Sequence, residues 1–196
     1  MQVEAPPSLR EAHREYTRGR IIEAAVASLQ DNEYEELLVS AVAERAGIAE
    51  RTLYRYFPTR SDLVRATWES ITARFSYHPF PDTPELLVEN PLVSFPSYDR
   101  EEKLIRAIVA SRQGRELRLS VNAERHAAIR SAVALARPDL SEDAQFRLSA
   151  IAQLLHSSIA WQTLNDYWGL DGSQAGLAAA EALSVLLKVP IPVAAT

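Results

Sequence analysis

Apolar residues along this chain recur at spacings of three and four, so its elements read as helices. Between Ser8 and Gln30, residues Ile21, Ile22, Ala25, Val26 and Leu29 form one apolar face. Asp31, Asn32 and the acids Glu33, Glu35 and Glu36 end that helix. Val39, Val42, Ala43 and Ala46 line a short second helix, closed by Gly47, a residue suited to the left-handed geometry of a helix end. A third segment, Glu50 to Phe57, turns Leu53 and Phe57 inward and stops at Pro58, which cannot continue a helix. Thr59 with Asp62 has the form of a capping box. The helix it opens, Arg60 to Phe75, carries Leu63, Val64, Thr67, Trp68 and Ile71 on one face.

Prolines at 79, 81, 84, 91 and 96 predict an irregular connection, with a helical turn at Thr83, Pro84 and Glu85. Helical periodicity resumes near Asp99 and runs, broken around Gly114, to Ala136. Arg137 to Leu140 is a turn, and Ser141 caps a long helix to about Trp168. Gly169 to Gly172 interrupts the chain before a last helix from Ser173 to Lys188. The expected fold is all-α, with an N-terminal three-helix bundle and a C-terminal helical domain. Residues 1–7, with Pro6 and Pro7, are expected to form a mobile tail.

Composition narrows the function. Hydrophobic residues make up 47% and charged residues 24%, ordinary globular values. The absence of cysteine excludes disulfides and thiolate metal sites and fits a reducing cytoplasm. No signal peptide and no membrane span are expected. His13, His78, His126 and His156 are scattered without metal-ligand spacing, and no nucleophile elbow, P-loop or dinucleotide fingerprint occurs. Neither an enzyme nor a metal or cofactor is expected. The net charge of −5 disfavours polyanionic partners for the chain as a whole, but phosphate responds to local charge. From Arg45 to Arg74 six arginines face three acids, Glu50, Asp62 and Glu69.

A helix, a tight turn with glycine and a short helix crowded with arginine and tyrosine form a helix-turn-helix, whose second helix enters the DNA major groove. Its first side chains, Arg51 and Thr52, are the candidates for base contact, arginine being suited to guanine O6 and N7. Tyr54, Tyr56 and Arg60 are placed for phosphate, and Arg55 for either. Ser40 and Glu50 complete the candidate DNA-binding face.

Val42-Ala43, Ala46-Gly47-Ile48, Thr52-Leu53-Tyr54, Tyr56-Phe57 and Arg60 before Leu63 resemble, in register, the tetracycline-repressor-type (TetR) family of transcription regulators. The likeness covers about the first 75 residues; beyond them it is architectural only. It departs at Leu38, where a capping threonine is common, at Ala49, where a serine often caps the recognition helix, and at Arg60, where lysine is more usual. What the resemblance implies is a homodimer whose heads occupy successive major grooves of a palindromic operator on double-stranded DNA. A small effector in the C-terminal domain then shifts the heads and releases the DNA. The corresponding domains are a DNA-binding head (8–58), a bridging helix (59–78), a Pro-rich connection (79–98) and an effector-binding and dimerisation domain (99–189).

In that last domain, two stripes offer a four-helix dimer interface. Leu148, Ala152, Leu155 and Ile159 form one, and Leu177, Ala180, Leu183 and Leu187 the other. Candidates for the effector cavity are the apolar Phe75, Leu104, Ile108, Ile129 and Trp161 and the polar Asn122, His126 and His156. Such a lining suits a largely apolar compound with one or two polar groups. Two other readings stand beside this one: a DNA-binding architectural or partner-regulated factor without a small-molecule effector, and a ligand-binding or adaptor protein whose head has lost DNA affinity.

Overall fold

Helix boundaries follow the capping chemistry of the chain closely. The computed structural model describes residues 8–31, 38–75 and 78–191, which contain eleven helices and no strand. The acidic run Glu33, Glu35 and Glu36 and the N-terminal tail lie outside the described residues. The head consists of α1 (Leu9–Asp31), α2 (Val39–Arg45) and α3 (Glu50–Tyr56), followed by the bridging α4 (Arg60–Thr72). The capping box that opens α4 is present: Thr59 Oγ1 accepts from the Asp62 amide at 3.1 Å, and the Thr59 amide donates to the Asp62 carboxylate at 2.9 Å. By contrast Leu38 and Ala49, at the N-caps of α2 and α3, supply no side-chain hydrogen bond.

The Pro-rich connection is where the structure departs most from the sequence reading. Residues Pro84–Arg100 form a helix, α5, with Pro91 and Pro96 inside it. Pro84 sits in the first turn, where its missing amide costs nothing, and Thr83 caps the helix through the Leu86 amide at 3.3 Å. The two internal prolines each remove one helical hydrogen bond. That loss is offset by burial of Leu87, Val88, Phe95 and Tyr98, each no more than 5% exposed. The helix that covers them is the last one, α11 (Gly172–Leu187). Gly172 and Gly176 on α11 let the two backbones touch: a methyl group on Gly176 would lie 2.5 Å from the Pro91 carbonyl oxygen.

Between them run α6 (Glu102–Ala110), α7 (Arg112–Ser120), α8 (Asn122–Ala136), α9 (Glu142–Leu155) and α10 (Ser158–Trp168). The break expected at Gly114 falls instead at Ser111, whose hydroxyl caps α7 by accepting from the Gly114 amide at 3.0 Å. Gly114 lies inside α7, pressed against the Ile108 backbone. The long helix expected from Ser141 to Trp168 is divided at His156, because Ser157 caps a new helix through the Ala160 amide at 3.3 Å.

Two hydrophobic cores result. The larger runs without interruption from Ile21, Val42, Leu53 and Leu63 in the head to Phe95, Leu104 and Trp161 in the body. The smaller gathers Leu87, Ile129, Val133, Ala152, Ala180, Leu183 and Leu187 between α5, α8, α9 and α11. Head and body thus share one continuous core across α4.

Candidate functional site

The turn between α2 and α3 is built by Gly47 at φ 66°, a left-handed conformation that favours glycine. The Arg20 guanidinium on α1 donates to the Ala46 carbonyl at 2.6 Å and clamps that turn to the bundle. Leu53 and Phe57 are 1% and 3% exposed, which rolls the opposite side of α3 outward. Ser40, Glu50, Arg51, Tyr54 and Arg55 are exposed there, with Thr52 half-buried behind Arg51 in sequence and Tyr56 packed against the head core. Arg55 lies 6.0 Å from the centroid of the Tyr56 ring.

The positive charge of the head is distributed unevenly. Arg45 pairs with Asp31 at 2.6 Å, Arg74 with Glu23 at 2.9 Å, and Arg65 with Glu124 at 2.9 Å. Arg60 is gripped by Glu116 on α7. Among the described residues Arg51 and Arg55 on α3 enter no ion pair, nor do Arg10, Arg14, Arg18 and Arg20 on α1, so unpaired charge lies on both helices. An exposed helix edge carrying guanidinium and hydroxyl groups can meet base edges and phosphate together.

The body holds a cavity of 320 Å³ between α4, α7, α8, α9 and α10. Of the sequence candidates, Asn122 and His156 line it. Ile108 and Trp161 belong to the core, and the Trp161 indole donates to Asp99 at 2.8 Å. Phe75 stacks edge-on against Tyr98 and borders a neighbouring hollow that shares Trp68 and Pro79. His126 is exposed on α8 and does not line the cavity. The residues missed are Arg115, Arg118 and Arg125. Together with Asn122 they follow a spacing of three, four and three across α7 and α8, a polar stripe visible in the sequence.

His156 is held in one tautomer. Asn90 accepts from the His78 amide at 3.0 Å through Oδ1, so its Nδ2 faces the ring and donates to His156 Nε2 at 2.9 Å. Nε2 therefore accepts, and the ring hydrogen sits on Nδ1. Burial, reinforced by the charge of Arg125, pushes the His156 pKa down to about 4 and keeps the ring neutral.

The expected dimer stripes divide. Ala152, Ala180, Leu183 and Leu187 lie fully buried in the chain's own second core, with Leu148 and Leu155 packed against it. Ile159 and Leu177 are exposed, and Ile151, Leu154 and Val185 join them at the surface of α9, α10 and α11. Periodicity identified apolar faces correctly but not which of them the chain covers itself.

The fold and the exposed face of α3 are those of a helix-turn-helix protein on an all-helical body. Residues 21–67 match the family described as bacterial regulatory proteins, tetR family. The chain is 48% identical over 54 residues to the transcriptional repressor KstR of Mycolicibacterium smegmatis, a match covering 28% of this chain and 26% of the relative. It is 40% identical over 60 residues to the repressor LfrR of the same organism, covering 31% of each. Against the fatty acid metabolism regulator protein of Bacillus subtilis it is 34% identical over 56 residues, 29% of each chain. These matches thus span less than a third of the relatives' length. A crystal structure of a TetR transcriptional regulator from Rhodococcus sp. RHA1 is similar with a TM-score of 0.46 and 20% identity, over 90% of this chain and 98% of that one. No described helix is long and apolar enough to cross a membrane.

Proposed function

We propose that this protein is a cytoplasmic transcriptional repressor that binds a palindromic operator as a homodimer and leaves it when a small effector occupies the body cavity. The observation that carries the reading is the outward edge of α3, where the exposed Arg51 and Arg55 enter no ion pair among the described residues, unlike Arg45, Arg60, Arg65 and Arg74. KstR and LfrR, to which the head is similar, are named as repressors. Arg51 and Thr52 contact bases, while Tyr54, Arg55, Tyr56 and Arg60 hold phosphate, with Ser40 and Glu50 at the edge of the interface.

The exposed apolar side chains Ile151, Leu177 and Val185, which lie outside the cavity, support a two-fold interface through α9 and α11. Such a dimer sets its recognition helices roughly 34–36 Å apart, one turn of DNA. The link to the effector runs through α4, which lends Trp68 to the cavity wall and carries Arg60 and Arg65, tied to Glu116 and Glu124. A molecule seated beside Trp68 displaces α4 and the head with it.

Footprinting on the DNA flanking its own gene, with light scattering of the free protein, tests the reading. One protected palindrome and a dimeric mass are expected. A purified chain that protects no duplex, or stays monomeric on its site, overturns it.

A further inference from the structure

The cavity described above has a chemical polarity of its own. Three arginines line it, Arg115, Arg118 and Arg125, and none of its described lining residues is a carboxylate. The acids of the same two helices are engaged elsewhere, Glu116 by Arg60 and Glu124 by Arg65, both on α4. Arg118 donates to the Ile108 carbonyl, a contact that places its guanidinium without cancelling its charge. Burial, and then the charges of Arg125 and Arg115, push the Arg118 pKa down, which reports cations crowded together in a partly desolvated place. Arg125 spans the site, donating to the Arg118 carbonyl at 3.0 Å while lying 5.5 Å over the Trp68 ring. His156, 7% exposed and locked with its hydrogen on Nδ1, adds a neutral donor. Leu119, Leu154 and Ile159 supply apolar wall.

Crowded guanidinium groups beside an apolar wall have a complementary ligand in a molecule charged at one end. We propose that the cavity binds a small organic anion with a compact apolar body, its carboxylate or phosphate head among Arg115, Arg118 and Asn122 and its body against Leu154 and Ile159. The volume is that of about ten waters, which suits a single short chain or ring. This assignment sharpens the effector reading above and rests on it only for the consequence at DNA.

The test uses the full chain with octanoate and 4-phenylbutyrate, each matched by its uncharged carboxamide, and with octyl phosphate matched by uncharged octanol, in thermal shift and calorimetric titrations. At least one anion is expected to raise the melting temperature, since it binds the native state, while its uncharged counterpart does not. Octyl phosphate set against octanoate shows which head the site prefers. Arg115→Gln, at an exposed position, is expected to weaken anion binding by about tenfold to a hundredfold with the fold intact. Uncharged counterparts that bind as well as the anions, an Arg115→Gln protein with unchanged affinity, or no melting shift from any anion at millimolar concentration overturns the proposal. Operator titrations of the same samples separate it from the function proposed above. Anion binding that leaves DNA affinity unchanged supports the site and removes the effector role. Release by an uncharged counterpart alone keeps the effector role and removes the anion site.

Discussion

The Arg60 guanidinium, at the first residue of α4, engages both carboxylate oxygens of Glu116 on α7, with Nη2 2.6 Å from Oε2. The side chain placed by sequence for operator phosphate is thus held by an internal carboxylate, which would compete with any phosphate for it. Both partners are about a third exposed, 35% and 37%, so the pair adds little to stability. Its importance lies in that competition. Glu116→Gln is expected to raise affinity for every duplex alike and to steepen the salt dependence by about 0.9 per recovered phosphate contact. Anisotropy titrations across a salt series read both quantities; an unaltered slope would place Arg60 away from the backbone.

Arg51 and Arg60 are expected to fail differently. Arg51→Ala should lose ~1–3 kcal/mol on the operator and relax base preference at one position in each half-site. Arg60→Ala should weaken all sequences evenly and flatten the salt slope. If the two variants prove indistinguishable on operator and scrambled DNA, the division between base and phosphate contacts is wrong.

Gly176→Ala tests the close approach of α5 and α11. Alanine favours helix by about 1 kcal/mol over glycine. The added methyl, however, meets the backbone of Pro91 at 2.5 Å, an atom no rotamer change can move. Overpacking should win, with a net loss of about 1–3 kcal/mol in urea unfolding. A stabilised variant would show that the two helices separate easily.

His156 makes stability depend on acidity. Unfolded, its imidazole takes a proton near 6.5; folded, it stays neutral down to about 4. Between those values the unfolded chain binds the extra proton, so stability is fully present above pH 6.5 and is lost as the pH falls toward 4. The loss attributable to this residue is on the order of 3 kcal/mol. Denaturant unfolding at pH 7, 5.5 and 4.5 should show it, and His156→Gln, which keeps an acceptor for Asn90, should flatten that part of the profile.

Ala49, at the N-cap of α3, has the extended backbone of a capping residue without the side chain to cap. Ala49→Ser should add ~1 kcal/mol to stability. A urea midpoint that does not rise would mean solvent already satisfies those amides.

The head was readable because its signals are local. Gly47, Pro58 and the Thr59–Asp62 pair act within one turn of chain, and Leu53 and Phe57 needed only their spacing to be placed inside. The same locality misled at Pro91 and Pro96, where burial against α11 outweighed two lost hydrogen bonds. The arginine stripe of α7 and α8 was present in the spacing, yet its meaning depended on α4 and α9 closing a cavity over it.

Helical character and capping follow from residues three or four apart, because the bonds that make a helix connect neighbours along the chain. Which face is buried, and which charge is cancelled, depends on partners far away. Arg60 and Glu116 stand 56 residues apart, and Ala180, Leu183 and Leu187 fill the chain's own core because α5, α8 and α9 arrive to cover them. Amino-acid order therefore set the helices and the reading edge of α3, while long-range packing chose the free arginines, the cavity and the apolar surface left open.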